Sequence, residues 1–180
     1  MSSPAVTSLS IQREHRPPYF QLLTFDVGGR PLALPAAAVR EVTWAVAVTP
    51  LPKAPPIVEG VINVRGTLVP VLDIRHRLAL PAQPVALHQH FIVAHAGQRL
   101  VALRVDRALD LVSVPEEAIE TAARVAPGVE YVAGIAKLPD GLIVIHDLQR
   151  FLSLAEAEQV DTAITGTMSP DDAVTRWEGR

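Results

Sequence analysis

The sequence predicts a mainly β protein: two small barrels of about five strands each, packed together, with a few short helices. Three observations carry that expectation. Short apolar runs recur with Gly, Pro, Asn and Asp between them, the alternation of strands and turns. The stretch GVINVRGTLVPVLD at 60–73 returns as GIAKLPDGLIVIHD at 134–147, a constant offset of 74 residues. A weaker match, GGRPLAL at 28–34 with GQRLVAL at 97–103, precedes it at an offset of 69. The body therefore divides into related halves, about 19–80 and 88–154. The first strand and the last helix are free to cross between them. A half of that size is marginal alone, so the two are expected to share apolar surface and leave a groove between them.

Residues 1–18 are polar, hold three prolines and show no period, which reads as a flexible tail. Residues 19–27 form a strand, Gly28 and Gly29 a hairpin turn, and 30–34 its partner. Pro35 opens a short helix over 36–40, and 41–48 alternates as a strand. Four prolines between 50 and 56 make a stiff connection. Residues 61–64 and 68–72 flank Arg65, Gly66 and Thr67, a second hairpin. Asp73 suits the N-cap of a helix over 74–80. Three strands follow at 91–95, 100–105 and 109–114. Residues 132–138 and 142–146 flank Pro139, Asp140 and Gly141, a strong turn signal. Asp147 caps a helix over 148–154. Residues 155–159 could extend it, and the polar remainder of 155–180 reads as a partly disordered tail.

Composition excludes several chemistries. The net charge is −3 and the aromatic content 4%, with no interleaving of aromatic and basic residues. Neither suits a nucleic-acid surface. The chain has no cysteine, which removes disulfides, thiol catalysis and Cys-ligated metals. No apolar run approaches the roughly 20 residues of a membrane span, and the N-terminal stretch lacks the apolar core of a secretory signal. There is no glycine-rich phosphate loop and no G-x-S-x-G elbow, and Ser113 and Ser153 are the body's only serines.

A few residues invite a functional reading. His88 and His90 would share one strand face and could hold a metal, with His95 on the other face; a polar strand entrance is the simpler account. His146 and Asp147 are adjacent and would point opposite ways on a strand. Asp73 and Asp147 are two copies of one capping position. Trp44 is read as a core residue sooner than as an interface anchor. Arg65 would by default be a surface arginine. Beside Asn63 and Gly66, at the edge of the expected groove, it also fits a planar donor held by a tight turn for a carboxylate or a partner's backbone.

Taken together, FQLLTF at 20–25, LALP at 32–35, VREV at 39–42, PPIVEGVINVRG at 55–66, VPVLDIR at 69–75, LVALRVD at 100–106, YVAG at 131–134 and LIVI at 142–145 resemble the CheW-like domain family. The resemblance runs over the whole body, about 19–154. It implies two SH3-like β-barrel subdomains, no catalytic activity and no cofactor. It implies a stand-alone cytoplasmic adaptor at the membrane-associated receptor array. Such an adaptor couples the cytoplasmic tips of methyl-accepting chemoreceptors to the regulatory domain of the CheA histidine kinase. Self-association within arrays is a further implication. Carried over by motif, the receptor-binding residues are Val39, Glu41, Val42, Asn63, Arg65 and Leu111, and Gly60 and Gly66 shape the hairpin. Ala102, Arg104 and the His88-Gln89-His90 stretch depart from the family's pattern. Two other readings stay open: an adaptor of a pilus-type or other chemosensory pathway, and a metal or small-ligand binder built on His88 and His90.

Overall fold

The computed structural model describes residues 19–125, 128 and 131–167. The expected tail at 1–18 and the stretch 168–180 lie outside the described residues. Eleven strands are present among those described: β1 (Tyr19–Val27), β2 (Arg30–Pro35), β3 (Val39–Trp44), β4 (Val58–Val64), β5 (Thr67–Asp73), β6 (His90–Ala96), β7 (Arg99–Val105), β8 (Arg107–Pro115), β9 (Ile119–Thr121), β10 (Val132–Leu138) and β11 (Gly141–His146). The helices are α1 (Ala122–Val125), α2 (Leu154–Thr167) and three single 3-10 turns. The chain is thus mainly β, as expected.

The strands form two sheets, ordered β8-β1-β2-β11-β10-β9 and β3-β6-β7-β5-β4. These do not follow the expected halves. The β1–β2 hairpin leaves the first half to pair with β8 and β11, and the β6–β7 hairpin leaves the second to pair with β3 and β5. A whole hairpin crosses in each direction, not a single strand. The reason lies in the two parallel contacts. Val71 and Leu72 of β5 run beside Ala102 and Leu103 of β7, and Val144 and Ile145 of β11 beside Leu32 and Ala33 of β2. Parallel neighbours need a long crossover connection, so each repeat takes its parallel strand from the other. The six-stranded sheet gains the short β9, which had no distinct sequence signal.

The largest apolar core lies between the sheets. It takes Phe25, Val27, Leu32 and Leu34 from one and Leu72, Ile92, Leu103 and Val105 from the other. Smaller cores line each sheet: Val69, Val71, Phe91 and Val93 in one, Leu22, Ala33, Val114 and Ile145 in the other.

Three helical expectations change. Residues 36–40 yield one 3-10 turn, Ala36–Ala38, and then β3 begins. Residues 74–80 make turns, not a helix, with Ala79 at φ 52°. Asp73 caps the first of these turns, accepting from the Arg75 amide at 2.9 Å. Asp147 caps the 3-10 turn Leu148–Arg150 through the Gln149 amide. A separate helix, α2, then runs on to Thr167. Ser153 Oγ accepts from the Glu156 amide, and Glu156 Oε2 accepts from the Ser153 amide, a capping box. Val160 is fully buried and Ile164 packs on the central core. Arg77 grips Glu156 at 2.6 and 2.7 Å, and Arg99 meets Asp161 at 2.5 Å. The described part of the expected disordered tail is therefore a docked helix.

Candidate partner-docking site

Strand β3 is an edge strand, and its pairing with β6 slips by one residue. Val39 pairs with Ala94, then Glu41 with Val93 and Val42 with Ile92. The extra residue, Arg40, is a β-bulge. Directly paired residues share a face, and Ala94 and Ile92 share one. The bulge thus brings Val39 and Val42 onto the same face, where simple alternation would separate them. Trp44, paired with His90, continues the row. Val42 is 40% exposed and Trp44 62% exposed. The Trp44 ring lies on His90 at 4.3 Å between centroids. The expectation that Trp44 is a core residue is overturned: it ends an edge strand and stays exposed.

Glu41 points to the other face. Its Oε2 accepts from Arg65 Nη2 at 2.9 Å, while its buried Oε1 has no hydrogen-bond partner among the described residues. Arg65 sits in the β4–β5 turn at φ 52° with Gly66 at φ 88°. Asn63 Oδ1 holds the turn by accepting from the Gly66 amide at 2.7 Å. The guanidinium is thereby aimed back across β4 to β3, with its side chain still 75% exposed. Gly60 is required by a close approach: a Cβ there would lie 2.1 Å from the Thr49 carbonyl oxygen, where Thr49 bridges Val61. Leu111 belongs to the other sheet. It lies on β8 opposite Leu23 and is 61% exposed, with Leu109 exposed two residues away. The structure thus joins Glu41 to Arg65 directly, and Asn63 to Gly66. Val39 and Val42 form a row behind that pair, and Leu111 stands on a separate strand.

A charge network unread in the sequence lies inside the protein. Arg104 is fully buried in β7. Its Nη2 donates to Asp73 Oδ2 at 2.5 Å, its Nη1 to the Gln83 carbonyl at 2.8 Å, and its Nε lies 3.1 Å from Glu59 Oε2. Arg75, equally buried, donates to Asp106, which also accepts from Gln89 at 2.9 Å and from the Gly28 amide at 2.6 Å. The Gly28 contact ties the β1–β2 hairpin to the junction between β7 and β8, where the chain passes from one sheet to the other. Burial alone would raise the Asp106 carboxyl. The hydrogen bonds from Gly28, Gln89 and Arg75, with the Arg75 charge, outweigh it and hold the group below its usual range. Glu59 goes the other way: burial raises it, helped by the Asp73 charge and opposed by Arg104 and Arg75. With three carboxylates and two guanidiniums, Glu59 is the surplus acid. The available signal was an arginine inside the apolar run LVALRVD.

The remaining expectations resolve simply. Among the described residues no group of three His, Asp or Glu side chains could hold a metal ion. His146 hydrogen-bonds the Tyr131 carbonyl, not Asp147. Asp73 and Asp147 each cap their own turn and form no carboxylate pair.

Residues 21–156 match the model of the CheW-like domain family. The chain is 30% identical to the probable chemotaxis protein CheW of Rhizobium etli over 141 residues, covering 77% of this chain and 90% of that protein. It is 31% identical to the chemotaxis protein CheW of Rhizobium meliloti over 140 residues, with the same coverage. The crystal structure of the scaffolding protein TtCheW from Thermoanaerobacter tengcongensis superposes with a TM-score of 0.65 at 27% identity, covering 73% of this chain and 89% of that one.

Proposed function

Because this chain belongs to the CheW-like domain family, we propose that it is a chemotaxis coupling adaptor, linking methyl-accepting chemoreceptors to the CheA histidine kinase without catalysing a reaction. The observation that carries the docking site is the pairing of an apolar row, exposed at Val42 and Trp44, with an oriented ion pair. Val39, Val42 and Trp44 supply area on one face of β3, and Glu41 with Arg65 supplies charge at its edge. Area at the centre and charge at the rim is the usual division of labour in a protein interface. The other carboxylate oxygen, Glu41 Oε1, is buried and lies 3.8 Å from Arg40 Nε.

The partner segments are the receptor's cytoplasmic tip and the kinase's regulatory domain. The tip, a helical hairpin, lays an apolar face along the row, a helix-in-groove mode, with Leu111 as a second wall. Asn63 and Gly66 set the Arg65 turn, and Gly60 lets β4 pass beneath Thr49. Among the described residues no helix is long and apolar enough to cross a membrane. Recruitment to the array runs through these contacts. Residues 19–154 act as one docking unit.

The test is titration of the full chain against a purified receptor-tip fragment and a kinase regulatory domain. Both bind, and Arg65→Ala weakens the receptor contact about tenfold while leaving the fold intact. Binding to neither, or unchanged receptor affinity in Arg65→Ala, overturns the site.

A further inference from the structure

Two sides of helix α2 are used by the fold. Val160 and Ile164 face the central core, and Glu156 and Asp161 hold Arg77 and Arg99. A third side is open. With the loop at Pro52 and Lys53 it forms a groove of about 840 Å³, lined by Pro52, Lys53, Ala155, Glu158, Ala163 and Gly166 among others. Ala155, Ala163 and Gly166 have little or no side chain, which gives the groove its width. Lys53 stands on one wall and Glu158 on the other. Neither side chain joins an ion pair among the described residues. The family match ends at residue 156, so the α2 wall lies largely outside the shared domain.

The chain leaves α2 at Thr167, next to Gly166 at one end of the groove. It continues as MSPDDAVTRWEGR, 168–180. Pro170 suits a reversal, because it cannot continue a helix. Asp171 and Asp172 follow, and then Arg176 and Trp177. These charges match the groove in sign: two acids for Lys53 and a guanidinium for Glu158. They also match in spacing. From Gly166 back to Glu158 is about 12 Å along the helix. From Asp172 to Arg176 in extended chain is about 13 Å. Trp177 is the largest apolar side chain of the segment, with about 150–250 Å² to bury.

We propose that residues 168–180 of this chain reverse after α2 and lie back along it in this groove, with Asp171 and Asp172 on Lys53, Arg176 on Glu158 and Trp177 against the small residues of the helix. The segment is then an intramolecular cover, and any partner for this side of α2 must displace it first. The inference is independent of the docking row on β3.

The experiment reads Trp177 in the full chain. Trp44→Phe leaves it as the one tryptophan. Its emission lies to the blue of free N-acetyltryptophanamide, and acrylamide quenches it several-fold less. Lys53→Glu, a change at an exposed residue, moves the emission to the red and restores the quenching, with the circular dichroism unchanged. Adding Asp171→Lys and Asp172→Lys to Lys53→Glu brings the shielding back, which a general loss of stability would not do. Ala155→Arg fills the groove and exposes Trp177 by a second route. An indole that emits and is quenched like the free amide overturns the proposal. Shielding that persists in both Lys53→Glu and Ala155→Arg also overturns it, since the segment then seats elsewhere. Shielding that vanishes on dilution assigns the groove to the segment of a second copy and overturns the intramolecular contact.

Discussion

Arg104 and Asp73 face each other as register partners across the parallel pair β7–β5, their charges 2.5 Å apart, with the guanidinium wholly sealed from solvent. The buried charge is tolerable because Asp73 and the Gln83 carbonyl accept hydrogen bonds from it and Glu59 lies 3.1 Å from its Nε as an ion pair. Arg104→Leu leaves two partly buried carboxylates without that partner and is expected to cost about 3 kcal/mol. Urea unfolding measures it. A loss below about 1 kcal/mol would mean that solvent reaches the site and screens it.

Glu59 predicts the opposite outcome. Its folded-state pKa is raised by burial, so its favourable contribution is full below the unfolded value near 4.5 and lost as pH rises through the folded value. At neutral pH the ionised group burdens the fold. Glu59→Gln should be at least as stable as wild type at pH 7, with the difference shrinking toward pH 4.5. Thermal melts across that range test it, and a variant clearly less stable at pH 7 contradicts it.

His146 gives the pH dependence a second component. Burial lowers its pKa, and the Tyr131 carbonyl bond only partly offsets this. The folded chain therefore holds the neutral ring more strongly than the unfolded chain does. Stability present above about pH 6.5 is lost as pH falls through the folded value. Asp106 and Glu156 also sit below their usual values, where hydrogen bonds and arginine partners outweigh burial, but their contributions are lost only in more acid solution. His146→Leu should flatten the melting curve between pH 7 and 5 without touching the more acid branch. An unaltered slope in that variant would remove His146 as its source.

Helix α2 is part of the fold. Deleting 161–180 removes the Asp161 partner of Arg99 and the Ile164 contact with the core. The expected cost is about 1–3 kcal/mol, on the scale of one buried aliphatic side chain. An unchanged melting temperature would show that the helix is not docked in solution.

Trp44 is the largest exposed apolar side chain of the proposed docking row. Trp44→Ala should leave the melting temperature within a degree or two while weakening receptor binding about tenfold, since tryptophan is a frequent binding hot spot. Full affinity in that variant would restrict the row to Val39 and Val42.

Much of the fold was legible because alternation and turn chemistry are local. β1 and β10 fall on their predicted residues, and the turns at Gly28, Arg65 and Pro139 are all hairpins. The repeat was legible too, but a repeat reports that two halves are alike, not which hairpin each one pairs with. α2 was anticipated only as a possible extension over 155–159; its run to Thr167 was missed although Ser153 and Glu156 carry the spacing of a capping box, because its polar composition outweighed the cap. Trp44 was misplaced because alternation does not show that β3 is an edge strand ending at that residue, where the ring is left uncovered. Arg104 was noticed as foreign to its strand, but its partners Asp73 and Glu59 lie on strands of the other repeat, which no local pattern connects. At the docking site the Glu41–Arg65 contact spans 24 residues; the residues were legible, the contact was not.

The exchanged hairpins also bear on synthesis. While a ribosome is still making the second half, the first half holds β1 and β2 with neither β8 nor β11 to receive them, and β3 and β5 without β6 and β7. The five-stranded sheet waits for β7, which ends at Val105, and the six-stranded sheet for β11, which ends at His146. The nascent protein must hold both sets of bare strand edges apart from their neighbours for longer than two consecutive barrels would. Once closed, the two sheets share one core and hold each other's hairpins, so the chain is expected to melt as a single clasped unit.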